Sequence, residues 1–219
     1  MPESTVKHID MKHRISRALV RIAALAAPAL LPLVASAEDA TPPPAPAELA
    51  AKLDELAKAH KGKVAIALKN LKTGESYALN AETPMPTASL IKFPVMIEAY
   101  RQAAEGKVDL NAPITLRKKD MVPGSGVLTY HFSDGATFPL VDAVHLMITY
   151  SDNTATNLVL DAIGIGSTAA TMEKMGYPNT KIHSKVYRRD TSVFPERSKV
   201  YGLGSTTAAD MVKLMDDLH

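Results

Sequence analysis

The chain offers one short β-hairpin early on and then turns almost wholly helical, which limits it to a mixed α+β fold. Residues 64–68 form a nearly continuous apolar run, Lys72-Thr73-Gly74-Glu75 supplies a turn, and residues 76–79 form the returning strand. A helical period of apolar residues precedes the hairpin over 47–60. The sequence therefore predicts an opening helix followed by an antiparallel pair of strands.

Helical periods dominate the rest of the chain. They cover residues 89–104, 140–149 and 154–163, and a last helix begins at Thr206-Thr207. Residues 116–138 are polar and rich in turn signals, and residues 176–204 show no period, so we expect a long loop over 176–204. No later segment has the pattern of a strand that would complete the first sheet. The predicted sheet is therefore unfinished.

The first 37 residues have the pattern of a secretory signal. A basic stretch is followed by an apolar run over 22–34 and then by the small residues of Ala35-Ser36-Ala37, after which we expect cleavage. The apolar run is interrupted by Pro28 and Pro32 and is shorter than the roughly 20 residues that span a bilayer, so no stable membrane insertion is expected. We expect a periplasmic or secreted protein with a Pro/Ala-rich linker over 38–47 and one domain over 48–219.

Charge and composition exclude several classes of function. The net charge of the whole chain is +2, and much of the excess of basic residues lies in the first 37 residues, so the remainder is close to neutral and unsuited to nucleic acid. The chain has no cysteine, and its seven histidines show none of the short spacings of metal ligands. We therefore expect no cofactor and no metal. We also expect the protein to be a monomer.

Ser89-Leu90-Ile91-Lys92 is the first candidate for chemistry. Residues three apart share one face of a helix, so the lysine amine can lie beside the serine oxygen. A serine needs a base to become a nucleophile, and a lysine can serve as that base if burial lowers its pKa. The spacing alone is a weak signal, because Ser4-Thr5-Val6-Lys7 matches it as well.

Ser151-Asp152-Asn153 makes the assignment much more specific. A serine–lysine pair followed by this tripeptide resembles the class A β-lactamases and the related penicillin-binding proteins, which are penicillin-recognising serine hydrolases. The resemblance covers about residues 48–219. It implies a β-lactamase/transpeptidase-like α+β fold in which an antiparallel sheet is flanked by a mainly helical domain, here lacking the C-terminal strands.

The resemblance also implies a role for each matching residue. Ser89 would be the nucleophile that the lactam carbonyl acylates, and its backbone N–H would be one of two oxyanion-hole donors. Lys92 would act as its base or hold its proton network. Ser151 would pass a proton to the leaving lactam nitrogen, and Asn153 would bind the amide of the substrate side chain.

Two further residues receive supporting roles. Asp152 would organise its loop by accepting backbone hydrogen bonds. Ser125, in Gly124-Ser125-Gly126, would lie at the rim of the cleft by analogy with the family, although an ordinary surface turn explains those residues equally well.

Two parts of the family pattern are missing. No Lys-Thr-Gly or Lys-Ser-Gly follows Asn153, so we expect that the chain is truncated at its C-terminus and that the strand over 64–68 exposes an aggregation-prone edge. The loop glutamate that activates the hydrolytic water is also absent, because the family spacing places Tyr187 or Thr191 there. Glu196 and then Asp190 are the acids left as candidates for that base.

Three functions remain open from the sequence. The first is a class A serine β-lactamase that opens the lactam amide through a Ser89 acyl-enzyme. The second is a penicillin-binding, D-Ala-D-Ala peptidase-like protein that is acylated but deacylates poorly. The third is an inactive remnant or a binding module. The expected partner is a small-molecule β-lactam or a peptidoglycan stem peptide.

Overall fold

The structure is a computed structural model that describes residues 42–219. The predicted signal sequence and its cleavage after Ala37 lie outside the described residues. The helices are, in chain order, α1 (Ala47–Ala59), α2 (Lys92–Ala104), α3 (Leu128–His131), α4 (Leu140–Thr149), α5 (Asn153–Ile163), α6 (Ile165–Lys174), α7 (Pro195–Tyr201) and α8 (Ala208–Leu218). The strands are β1 (Ile66–Lys69), β2 (Ser76–Leu79), β3 (Met85–Pro86), β4 (Pro113–Thr115), β5 (Thr137–Pro139), β6 (Lys181–Ile182) and β7 (Gly204–Thr206).

The strands form three small antiparallel sheets. β1 pairs with β2 in the register Ile66↔Leu79, β4 pairs with β5, and β7 lies between β3 and β6. Together with the helices they confirm the predicted α+β class. Within residues 42–219, the second edge of β1 has no strand beside it. The predicted tendency of that edge to aggregate stays a prediction.

Three helices build the main core because each carries apolar residues at a spacing of three or four. Val95 and Ala99 on α2 are fully buried, as are Met147 on α4 and Ala155 and Val159 on α5. Side chains at that spacing form one stripe along a helix, and burial of the stripe is the main source of helix stability in a folded protein. This core fixes the start of α2 against the start of α5.

The buried side chain of His183 belongs to a network of hydrogen bonds. Nδ1 of His183 lies 3.0 Å from the carbonyl oxygen of Gly202, and Nε2 lies 3.1 Å from Ser205 Oγ. A carbonyl only accepts, so Nδ1 carries the proton. The Ser205 hydroxyl, which accepts from Arg197 at 2.6 Å, has two acceptors for its one proton, Nε2 of His183 and the carbonyl of Asn179 at 3.2 Å. The network joins β7 to α7 and to the residue that follows β6.

The region over 176–204 was expected to be a loop, and that expectation is wrong. It contains β6, a 3₁₀ turn at Arg189–Thr191, α7 and part of β7. The two strands are too short to show an alternation of apolar residues, and α7 is only seven residues long. Periodicity could not reveal these elements.

Two other boundaries differ from the prediction. The helix predicted from residue 89 begins as a 3₁₀ turn, Ala88–Ile91, and becomes α-helical only at Lys92. The helix α6 is not predicted, because glycine after residue 163 is a usual signal for the end of a helix. Gly164 instead joins α5 to α6 with a positive φ of 79°.

Part of the predicted linker also contacts the hairpin. Ser76 N–H donates to the carbonyl of Pro43 at 2.8 Å, and Ala45 N–H donates to the carbonyl of Ser76 at 2.7 Å. Residues 43–45 therefore pair with β2.

Over the described part of the chain, no helix is long and apolar enough to cross a membrane. The same residues contain no cluster of three or more histidines and carboxylates that could hold a metal ion.

Candidate active site

Ser89 lies exposed in the 3₁₀ turn Ala88–Ile91, between β3 and α2. Two features of the backbone hold this turn in place. Thr87 N–H donates to the carbonyl of Gly204 on β7 at 3.1 Å. Ala88 adopts a positive φ of 44°, which is unusual for a residue with a side chain and is found mainly where the surrounding structure enforces it. The hydroxyl of Ser89 is therefore presented from a constrained turn.

Lys92 begins α2 and is buried, with 2% of its surface exposed. Its Nζ donates to the carbonyl of Ser151 at 2.6 Å, to Ser151 Oγ at 3.0 Å and to Asn153 Oδ1 at 2.9 Å. These three bonds use all the donors of an ammonium group. Burial lowers the pKa of Lys92 to about 8, although the charge of Asp152 acts in the opposite direction. A neutral amine is therefore accessible near physiological pH.

Ser151 connects the lysine to the exposed serine. Its Oγ donates to Ser89 Oγ at 2.9 Å, so a continuous hydrogen-bonded chain runs from Lys92 through Ser151 to Ser89. Ser151 adopts a positive φ of 51°. Such a conformation costs energy and persists where neighbouring groups enforce it. The two motifs identified in the sequence meet in this chain of atoms.

Asp152 holds the backbone around this chain in place. Its Oδ1 accepts from Ala155 N at 2.8 Å and caps α5, while Oδ2 accepts from Val127 N at 2.7 Å and Leu128 N at 2.9 Å. Gly126 makes the close approach possible, because a Cβ at that residue would lie 2.3 Å from Cγ of Asp152. The carboxylate is thus engaged with the backbone.

Ser125 and Asn153 form the neighbouring wall. Ser125 Oγ donates to the carbonyl of Ser151 at 2.8 Å, and the Ser125 carbonyl accepts from Asn153 N at 3.0 Å. Asn153 Nδ2 donates to the carbonyl of Pro123 at 3.0 Å. An amide NH₂ has two protons, so one N–H of Asn153 is left for another acceptor. Ser125 therefore contacts the backbone of Ser151.

A family model described as the beta-lactamase enzyme family matches residues 48–219. The chain belongs to this family. The resemblance drawn from the two sequence motifs is confirmed, and so is the β-lactamase-like α+β fold that it implied.

Individual relatives are distant. The β-lactamase PSE-4 of Pseudomonas aeruginosa is 29% identical over 102 residues, which are 47% of this chain and 35% of PSE-4. The structure of a β-lactamase from Sphaerobacter thermophilus is 31% identical with a TM-score of 0.65, covering 77% of this chain and 63% of that one. The structure of PBP-A is 26% identical with a TM-score of 0.66, covering 80% of this chain and 63% of PBP-A. A mutant of PBP-A is described as an acyl-enzyme complex with penicillin-G. The chain thus spans about a third of the length of PSE-4 and less than two thirds of the length of the two proteins of known structure.

The two acids proposed for deacylation in this β-lactamase-family chain are exposed, and each pairs with a nearby basic residue. The Glu196 side chain is 82% exposed and pairs with Lys199 at 2.7 Å. The Asp190 side chain is 64% exposed and pairs with Arg188 at 3.0 Å. Among residues 42–219, no carboxylate forms a hydrogen bond with Ser89. The ion pairs of Glu196 and Asp190 therefore do not connect either acid to Ser89.

Asn157 is a residue that the sequence analysis missed. It lies one helical turn after Asn153 on α5 and is buried. Its side chain exchanges two hydrogen bonds with the backbone of Val186, and so holds the segment that carries Tyr187. The spacing of four residues between the two asparagines on one helix face was the available signal.

Proposed function

We propose that this chain forms an acyl-enzyme at Ser89 with the amide carbonyl of a β-lactam. The observation that carries the proposal is the chain of hydrogen bonds from buried Lys92 through Ser151 to exposed Ser89. Membership of the β-lactamase family supports the same reaction.

The proton transfers follow from the protonation state of Lys92. When Nζ is neutral it can accept, so the hydroxyl of Ser151 rotates to donate to Nζ and the hydroxyl of Ser89 donates to Ser151 Oγ. As Ser89 Oγ bonds to the lactam carbonyl carbon, its proton moves to Ser151, and the proton of Ser151 moves to Lys92.

Opening of the ring reverses this transfer. The bond between carbonyl carbon and lactam nitrogen breaks, and the nitrogen takes a proton from Ser151 Oγ, which regains one from Lys92. The products are an ester at Ser89 and a neutral lysine, so the protons balance. The remaining N–H of Asn153 would donate to the amide carbonyl of the substrate side chain.

The fate of the ester separates the candidate functions. Hydrolysis would make the chain a class A serine β-lactamase, and retention of the ester would make it a penicillin-binding, D-Ala-D-Ala peptidase-like protein. The exposed positions of Glu196 and Asp190 favour retention. Export, as predicted from the first 37 residues, would bring the chain to peptidoglycan stem peptides and to β-lactams.

Labelling with a fluorescent penicillin tests the acylation step. We expect a covalent adduct on Ser89, located by peptide mass spectrometry, and no adduct on Ser89→Ala. Ser133→Ala, which changes an exposed serine, is the matched control and should label normally. If the parent chain is not labelled, or is labelled at another residue, the proposal is wrong.

Turnover of a chromogenic cephalosporin then distinguishes hydrolysis from retention. Retention predicts one equivalent of product per chain followed by a very slow steady rate. It also predicts that Glu196→Gln leaves that steady rate unchanged, because the carboxylate is solvated and paired with Lys199. A fast steady rate that Glu196→Gln abolishes would assign the chain as a β-lactamase with Glu196 as its base.

A further inference from the structure

Tyr187 occupies a backbone position that does not suit it. Arg188 N–H donates to the carbonyl of Lys185 at 3.1 Å and closes a tight turn in which Tyr187 is the third residue, with a φ of 59°. Turns of this kind usually place glycine or asparagine there, because a side chain is strained at positive φ. Burial does not explain the tyrosine, since 65% of it is exposed.

The Tyr187 side chain lies against a glycine at the candidate active site. The position that a Cβ of Gly124 would occupy is 3.2 Å from the hydroxyl oxygen of Tyr187 and 3.4 Å from its Cε2. A second exposed tyrosine approaches the same residue, because Gly124 N–H donates to the hydroxyl of Tyr130 at 3.3 Å and Tyr130 is 60% exposed. Two exposed tyrosine side chains thus approach the same glycine.

These tyrosines lie next to the groups that would bind the substrate. The same Cβ position of Gly124 is 2.6 Å from Nδ2 of Asn153. Gly124 is flanked by Pro123, which accepts from Asn153, and by Ser125, which donates to the carbonyl of Ser151. A group attached to an amide at Asn153 would therefore reach the tyrosine pair.

We propose that Tyr187 and Tyr130 form an aromatic subsite which selects acyl donors that carry a planar aromatic ring next to the side-chain amide. The inference rests on the proposed acylation at Ser89. Aromatic rings associate by offset stacking or edge-to-face contacts, and exposed tyrosines supply both geometries at little cost in side-chain order. Tyr187 keeps its strained conformation because the turn, held by Asn157 through Val186, directs it to Gly124.

Acylation rates with two penicillins test the subsite. Penicillin-G carries a phenylacetamido side chain, and 6-aminopenicillanic acid has the same ring system with no side chain. We expect Tyr187→Ala and Tyr130→Ala each to lower the ratio of the two acylation rate constants by about tenfold, roughly the effect of one aromatic contact. Tyr187→Phe should keep most of the ratio. Val200→Ala, which changes an exposed apolar residue on α7, should keep all of it.

Two results would overturn the subsite. Equal loss of both rate constants in Tyr187→Ala would mean that the tyrosine only supports the loop. Two unchanged rate constants would mean that the aromatic ring of penicillin-G does not contact Tyr187. Tyr187→Gly separates these effects further, because it relieves the strain at positive φ. It should lower the ratio without lowering the melting temperature.

A binding experiment separates this inference from the proposed function. Ligand-observed NMR of phenylacetylglycine and acetylglycine with Ser89→Ala requires no acylation. We expect line broadening of the phenyl signals that Tyr187→Ala abolishes, and none for acetylglycine. If the phenyl signals broaden in this way but penicillin does not label the parent chain, acylation is disproved and the subsite stands. The absence of phenyl broadening would disprove the subsite even in a chain that is labelled.

Discussion

Asn157 binds both backbone polar groups of Val186. Val186 N–H donates to Oδ1 at 2.8 Å, and Nδ2 donates to the carbonyl at 3.1 Å. Both residues are buried, so neither backbone group has water as an alternative partner. This pair fixes the segment before Tyr187 to α5.

Asn157→Ala should therefore destabilise the protein by about 2–4 kcal/mol, because it leaves two buried backbone groups without partners. Urea unfolding monitored by circular dichroism measures the loss. Asn157→Asp is the informative comparison, since a carboxylate can still accept from Val186 N–H but cannot donate to the carbonyl. Its second oxygen would face that carbonyl and its charge would be buried, so its loss at neutral pH should be at least as large as that of Asn157→Ala. A much smaller loss would show that the bond to the carbonyl contributes little.

The acylation rate should rise with pH. Only neutral Lys92 can accept the proton, and its pKa is about 8, so the rate should fall about tenfold for each pH unit below 8 and reach a plateau above 9. Stopped-flow acylation by penicillin-G between pH 6 and pH 9.5 measures the profile. Lys92→Ala should lower the plateau by at least about 100-fold. Lys118→Ala, which changes an exposed lysine, is the control and should leave the pH profile unchanged. A flat pH profile in the parent chain would exclude Lys92 as the base.

Gly126→Ala should be far more damaging than Gly135→Ala. Both glycines have positive φ, at 127° and 89°, so each substitution introduces backbone strain of about 1–2 kcal/mol. At Gly135 nothing lies within 4 Å of the new Cβ, whereas at Gly126 it would lie 2.3 Å from Asp152 Cγ. Overpacking should add about 1–3 kcal/mol and displace the carboxylate from its three backbone donors. Comparable melting temperatures for the two variants would contradict this account.

His183 should make the protein less stable in acid. Burial lowers its pKa in the folded state, and the charges of Arg197 and Lys181 act in the same direction, while the Gly202 carbonyl acts against them. The unfolded chain then binds a proton more readily, so the contribution of His183 is complete above about pH 6.5 and is lost as the pH falls through 6.5 towards the folded pKa. The free energy of unfolding at pH 7.5 and pH 5 measures this loss.

His183→Gln should reduce the difference between those two pH values, because its side chain does not titrate. His145→Gln changes an exposed histidine on α4 and is the control. An identical pH dependence in the parent chain and in His183→Gln would show that the loss of stability in acid has another origin.

The sequence predicted most of the long helices and the opening hairpin, because their apolar residues recur at a fixed period. It also indicated Ser89, Lys92, Ser151 and Asn153, which the structure brings into one hydrogen-bonded group. Motif matching found them because each motif is contiguous in the chain.

What the sequence could not predict depends on contacts between distant segments. The pairing of Asn157 with Val186 joins residues that share no local pattern. The two-residue strand β6 forms only because β7 lies beside it. The exposure of Glu196 could not be predicted either, since the sequence does not show whether a carboxylate faces a cleft or solvent; its role as the base stays a prediction.

Gly204 links the turn that carries Ser89 to strand β7. Its carbonyl accepts from Thr87 N–H, and a Cβ there would lie 2.8 Å from Thr87 Oγ1 and 2.9 Å from Ile91 Cγ1. The turn that presents Ser89 therefore depends on β7 lying between β3 and β6. Capture of a penicillin by Ser89 would then report completed folding, and covalent labelling during refolding would count native molecules one by one.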